Sequence, residues 1–160
     1  MAAQLNYNYS TPKGVPGGKV DISYDEVVTR INEAADGDMK FGLAVVTGAS
    51  AGVGVALPTS AATKDKFEGV VLHAENTEHD MSGKVKIKKD ATLSIMRHGH
   101  VWGRIDSKAT PTYGAPAYVI TDASVGEVGT FTNTASDSKT VDIGAKFGSE
   151  SDTGIAVIEL

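Results

Sequence analysis

Short apolar runs with a period of two residues dominate the chain from Phe41 to its last residue. Successive side chains of a strand point to opposite faces of a sheet, so this alternation is typical of half-buried β-strands. Glycine or proline interrupts the runs about every 8–12 residues, which is typical of antiparallel strands joined by turns. The pattern therefore predicts an all-β domain built on a meandering antiparallel sheet. The predicted strands are FGLAVV, GVGVALP, FEGVVLHA, GKVKIK, ATLSIM, HVWGRI, APAYVI, GTFTN, KTVDIGAKF and GIAVIEL.

Large apolar residues at strand-like positions form the predicted core. In the run GKVKIKK, Val85 and Ile87 alternate with lysines, which predicts a strand with one apolar and one solvated side. The final GIAVIEL reaches the last residue, so we expect the C-terminus to be tied into the sheet. The predicted core consists of Phe41, Val45, Phe67, Val70, Leu72, Ile87, Leu93, Ile95, Val101, Tyr118, Ile120, Phe131, Phe147, Val157 and Ile158.

Residues 21–36, DISYDEVVTRINEAAD, are the one serious helix candidate in the chain. Ser23 and Glu26 have the spacing of a capping box, and the apolar positions that follow fit a helical stripe. The β-branched Val27, Val28 and Ile31 argue against a helix, because their side chains are restricted in one. We predict a short helix or an ordered loop here.

Residues 1–20 are predicted to be an extended N-terminal arm, and residues 21–160 a single β domain. Leu5, Tyr7 and Tyr9 would share one face of an extended segment, and the stretch TPKGVPGGK behind them resembles a linker. We predict Leu5, Tyr7, Tyr9 and Val15 as interface residues that lie against a partner. The alternative is that the arm is the first edge strand of its own domain.

Charge and composition exclude several classes of function. The chain has 160 residues, no cysteine and a formal net charge of −5. Disulfides and cysteine-ligated zinc are therefore impossible, and a nucleic acid partner is not expected because an acidic surface repels phosphate. The lysines of residues 84–89 are predicted to lie on a solvated strand face. The N-terminus has no secretory pattern and no apolar run approaches the roughly 20 residues of a membrane span, so we expect no membrane partner.

The stretch VVTGASAGVGVAL, residues 45–57, imitates the glycine-rich turn of short-chain dehydrogenases. In that turn, glycines let the backbone approach a pyrophosphate at the start of a helix. Here Val53, Val55 and Pro58 predict a strand and a turn after the glycines. The one Tyr-x-x-x-Lys match, Tyr9 to Lys13, is broken by Pro12. A glycine-rich hairpin without a nicotinamide cofactor is therefore the prediction.

Histidines and carboxylates provide the other candidate chemistry. His98 and His100 are two residues apart, a spacing that can chelate a metal on a strand. The acidic turn of residues 74–83 could supply oxygen ligands, but it lacks the order of a calcium loop. We interpret both as surface features and predict no metal, no cofactor and no catalytic residues. A metal-assisted hydrolase on a cupin-like barrel is disfavoured because no histidine follows His100.

The order of many short blocks along nearly the whole chain resembles the capsid cement (decoration) proteins of tailed bacteriophages. The matching blocks are MAAQLNY, FGLAVVTG, LPTSAATKDKFEGVVLHAENTEHD, GKVKIKKDATLSIMRHGHVWGRI, PTYGAPAYVI, VGTFTN and DIGAKFGSESDTGIAVIEL. The resemblance implies a β-sandwich or jelly-roll-like barrel that coats the outside of an icosahedral head and locks several major capsid subunits together. It transfers no catalytic residues.

These observations leave two principal hypotheses. The first is a non-enzymatic cement protein that is made in the bacterial host cytoplasm and lies on the outer capsid surface of the virion. Its partners would be the major capsid protein and copies of itself, as a homodimer or homotrimer. The alternative is a small β-barrel module that binds a ligand or glycan.

Overall fold

The computed structural model describes residues 14–74, 81, 83, 85–151 and 153–160, and these residues form an all-β fold with one 3-10 turn at Lys64–Lys66. The prediction of an all-β sandwich or barrel is confirmed. The strands are β1 Glu26–Asn32, β2 Ala44–Thr47, β3 Gly54–Ala56, β4 Phe67–Val71, β5 Thr92–His98, β6 His100–Arg104, β7 Pro116–Ile120, β8 Phe131–Thr132, β9 Thr140–Phe147 and β10 Ile155–Glu159.

The first five strands close into a barrel in the order β1-β3-β2-β4-β5. Most neighbours pair antiparallel, as the turn spacing predicts, and β5 closes the barrel on β1 with Val28 opposite Ile95. The exception is β1 with β3, which run parallel with Ile31 opposite Gly54. Closure gives each of these five strands two neighbours in the barrel.

The other five strands form a second sheet in the order β6-β10-β9-β7-β8. The C-terminal strand β10 lies between β6 and β9, so the predicted insertion of GIAVIEL into a sheet is confirmed. One isolated bridge between Ile105 and Phe131 connects the two edges of this sheet.

Two apolar clusters correspond to these two layers. One fills the barrel around Val45, Val71 and Ile95, and the other lies between barrel and second sheet around Phe131 and Phe147. The predicted core residues are buried except Phe67 and Tyr118, which are half-buried. Fully buried residues that the pattern missed include Met39, Leu43 and Met96.

The helix considered for residues 21–36 is wrong, because this stretch contains β1. Its β-branched residues are paired with β5 from Val27 opposite Met96 to Ile31 opposite Thr92. A capping box satisfies only a few local donors, whereas pairing with β5 extends from Glu26 to Ile31 and packs Val28 against the barrel cluster.

The strand predicted at GKVKIK is also wrong for its described part, since no strand is present at residues 85–91. Val85 is 46% exposed whereas Ile87 is buried in the barrel cluster, so the two do not share a face. Loop contacts hold this chain instead: the Asn32 side-chain amide donates to the Lys88 carbonyl, and the Lys89 amide donates to Asp36.

A charged cluster joins β1, β4 and β5. The Glu68 carboxylate accepts from Arg97 at 2.5 Å and lies 3.3 Å from Arg30, while the Thr47 hydroxyl donates to it at 3.1 Å. Burial raises the pKa of Glu68, but the hydrogen bonds from Arg97 and Thr47 and the two guanidinium charges outweigh it, so the pKa lies below its ordinary value. The carboxylate therefore stabilises the fold in its ionised form.

We expect Glu68→Gln to destabilise the protein by about 1–3 kcal/mol at pH 7, because two arginines lose their charged acceptor. A lowered pKa contributes stability above the unfolded-state value, and this contribution disappears as the pH falls through the folded-state value. The difference in urea midpoint between wild type and Glu68→Gln should therefore shrink below about pH 4. Glu26→Gln is the matched control, since Glu26 lies 3.8 Å from Arg97 at a half-exposed site. An equal loss in both variants would contradict this role of Glu68.

Candidate assembly surface

Three of the four predicted interface residues, Leu5, Tyr7 and Tyr9, lie outside the described residues. The fourth, Val15, is 51% exposed. It belongs to a segment, residues 14–18, that lies over the Trp102 ring so closely that a Cβ at Gly14 would overlap the indole. The described end of the predicted arm is thus packed on the outer side of β6, and the division into arm and domain remains a prediction.

Gly17 connects the barrel to the second sheet. Its amide donates to the Trp102 carbonyl at 2.7 Å, and its carbonyl accepts from the His73 amide at 2.9 Å. Its φ is +78°, and a Cβ would lie 2.6 Å from the Val71 oxygen and 2.7 Å from the His73 nitrogen. Only glycine fits this position without displacing either layer.

A polar network fixes the next part of the chain, residues 19–25, beside the start of β6. The Val20 amide donates to the His100 carbonyl at 3.1 Å, and Asp21 Oδ2 lies 2.7 Å from His100 Nδ1. The Ser23 hydroxyl and amide both donate to Asp21 Oδ1, and Lys19 pairs with Asp25. Hydrogen bonds from Ser23 and then from His100 lower the pKa of Asp21 to about 2, so this carboxylate stays ionised at neutral pH.

Within this network two large apolar side chains point into solvent. Ile22 is 103% exposed and Tyr24 is 78% exposed, and the Tyr24 ring lies 5.6 Å from the His98 ring. We call Ile22 and Tyr24 the anchor pair. Sequence analysis missed it because residues 21–36 were considered as a helix. The sequence does contain a signal for an exposed extended segment: Ile22 and Tyr24 alternate with polar residues directly before a β-branched run.

A second exposed apolar group lies on the barrel. Val27 and Ile31 of β1 are 42% and 37% exposed, and Val53, whose carbonyl accepts from the Ile31 amide, is 53% exposed. Positions 27, 29 and 31 share one face of the strand because side chains alternate. Val27 and Ile31 therefore form a separate exposed apolar group on the face of β1.

The structure separates the two histidines that could have formed a metal site. His98 ends β5 and His100 begins β6, with Gly99 between them at φ +122°. His98 contacts Tyr24 whereas His100 contacts Asp21. No group of three or more potential ligands that could hold a metal ion occurs in the described part of the chain.

The glycine-rich stretch forms the hairpin between β2 and β3, as predicted, with Thr47 opposite Val55. Glu33 occupies the position that an anion would take, because its carboxylate accepts from the Ala49 amide at 2.5 Å and the Ser50 amide at 3.0 Å. Hydrogen bonds from Ser50 lower the pKa of Glu33. A Cβ at Gly48 or Gly54 would overlap this carboxylate, so the glycines accommodate a residue of the chain itself.

None of the described helical residues forms a span long and apolar enough to cross a membrane. Several large apolar side chains are exposed on the described β scaffold, which suits contact with another protein.

Comparison with known proteins agrees with this description. None of the curated proteins compared with the chain matches it. A chain from the solved structure "The capsid of Myoviridae Phage XM1" has the same fold, with a TM-score of 0.72 and 16% identity over 99% of this chain and 97% of that one. The model of the family described as "Structural cement protein (E217 gp24/Pam3 gp6)" matches residues 3–160. The chain therefore belongs to this family of structural cement proteins of phage capsids.

Proposed function

We propose that this protein binds the outer surface of an icosahedral phage head and stabilises contacts between major capsid subunits. The observation that carries the proposal is the family match over residues 3–160. The described surface supports it, since exposed apolar side chains are fixed on a β scaffold closed on itself. Cement function requires many modest contacts, which become strong together when a shell supplies a lattice of sites.

Charge supports the outer face of the shell rather than the inner one. The chain carries a net charge of −5, and packaged DNA repels an acidic protein. For the same reason, the proposed partners are capsid subunits and copies of this chain, and nucleic acid is not among them. The proposal includes synthesis of the protein in the host cytoplasm, where heads assemble.

The N-terminal arm is proposed as one of the contacts, for self-association into a dimer or trimer and for binding the head. Leu5, Tyr7 and Tyr9 are large side chains at alternating positions, and aromatic anchors dominate the energetics of interfaces. Val15 is half-exposed in the described segment that packs on Trp102, at the end of the proposed arm.

We expect deletion of residues 1–12 to reduce binding to undecorated, expanded heads of the same phage and to reduce the protection of those heads against heat. The reason is the loss of three large side chains at an interface, while residues 14–20 remain packed on β6. Cosedimentation measures occupancy, and calorimetry of the heads measures protection. Full occupancy and full protection by the truncated protein would rule out the arm as a contact. Failure of the intact protein to bind heads would overturn the cement function itself.

A further inference from the structure

The anchor pair, Ile22 and Tyr24, is exposed on a segment whose backbone is fixed by a polar network. Ile22 is 103% exposed, so it contributes nothing to the core. Nevertheless its backbone neighbours are fixed by contacts of Asp21 with His100 and Ser23 and of Lys19 with Asp25. Holding the backbone of a contact segment in place before binding reduces the entropy lost on association.

The shape of the anchor pair indicates which kind of surface on a partner can bind it. Side chains that project from a bend are convex, so they need an apolar recess on the partner. The first cleft of the described surface mixes both kinds of side chain, with Asp36 and Lys86 beside Met39 and Phe41.

It is the size of the anchor pair that argues against a second copy as the occupant. An aromatic side chain buries about 150–250 Å², and a stable protein pair needs about 800 Å² from each partner. The anchor pair alone is too small for a stable dimer of free subunits. A capsid lattice removes this limit, because each subunit of the shell adds a further contact to the same bound protein.

We propose that Ile22 and Tyr24 insert into an apolar recess on a major capsid subunit and form the central anchor of the described body on the head. This inference rests on the proposed cement function and names the surface that performs it. Asp21, Ser23 and His100 are positioning residues, since they fix the bend and leave its apolar side chains free.

Ile22→Ser and Tyr24→Ser, in the full-length chain, test the proposal. Each should weaken binding to undecorated, expanded heads of the same phage about 30-fold, the effect of losing one hot-spot side chain. Tyr113→Ser is the matched control, because Tyr113 is 77% exposed in the loop between β6 and β7 and should leave binding unchanged. Thermal unfolding of all three variants should match wild type, since none of these side chains is buried.

The outcomes separate this inference from the cement function. If wild type binds heads and the Ile22 and Tyr24 variants bind equally well, the anchor is wrong and the cement function stands. If wild type does not bind heads at all, the cement function fails and this inference fails with it. Analytical ultracentrifugation of the free proteins should show the same oligomeric state for wild type and Ile22→Ser. Dissociation of a wild-type oligomer by Ile22→Ser would identify a second copy as the occupant and overturn the proposal.

Discussion

Gly17→Ala is expected to destabilise the protein by about 3 kcal/mol. The left-handed backbone costs about 1–2 kcal/mol for a residue with a Cβ, and each disturbed hydrogen bond contributes about 1 kcal/mol. Gly17 makes two such bonds, to Trp102 and His73, and a Cβ at this position would press against the Val71 oxygen at 2.6 Å. For a domain of this size, thermal unfolding should shift down by about 6–12 °C.

Gly52→Ala provides the matched control for this prediction. Gly52 has almost the same φ, +77°, but nothing lies within 4 Å of the position that its Cβ would take. This variant should show only the backbone cost, about 1–2 kcal/mol. If the two variants lost the same stability, the close approach at Gly17 between barrel and second sheet would be of no energetic importance.

Phe131→Ala is expected to destabilise the protein by about 3–5 kcal/mol, the usual cost of removing a fully buried phenylalanine. Phe131 is 0% exposed in the cluster between the layers. Its ring packs over Gly103, where a Cβ would lie 3.0 Å from two ring atoms, and its carbonyl accepts from the Asp106 amide. Equilibrium unfolding in urea, with an unchanged slope, measures the loss.

Phe67→Ala is the comparison within the same cluster. Phe67 is half-buried and packs against the edge of the cluster, so its truncation should cost less than that of Phe131. Because the same atoms are removed in both variants, the difference in unfolding free energy reports burial. A larger loss at Phe67 than at Phe131 would contradict the described arrangement of the core.

Local sequence patterns predicted the structure correctly where the pattern and the folded element consist of the same few residues. The hairpin at residues 45–57 is one example. Val53, Val55 and Pro58 exclude the helix that a dinucleotide site requires, and the structure pairs β2 with β3 as predicted. The presence of Glu33 in its loop could not be predicted, because that contact depends on how β1 lies beside β3.

Residues 21–36 show how tertiary structure overrides a local signal. The capping spacing of Ser23 and Glu26 and the β-branched residues behind it point to different structures, and both signals are weak. Pairing of β1 with β5 settles the question, since it satisfies a whole row of backbone groups and closes the barrel. The alternation of Ile22 and Tyr24 could be interpreted as an exposed extended segment only once β1 was known to be a strand.

The sequence alone determined the all-β class, most of the core, the hairpin and, through the order of its blocks, the family of phage capsid cement proteins. Each of these depends on side-chain period, turn residues or order along the chain, which are local properties. Tertiary structure alone decided the parallel pairing of β1 with β3, the role of Gly17 between Val71 and Trp102, and the exposure of Ile22 and Tyr24. The first two features join residues far apart in the chain, and the third depends on what the folded chain places beside residues 19–25, so no local pattern contains them.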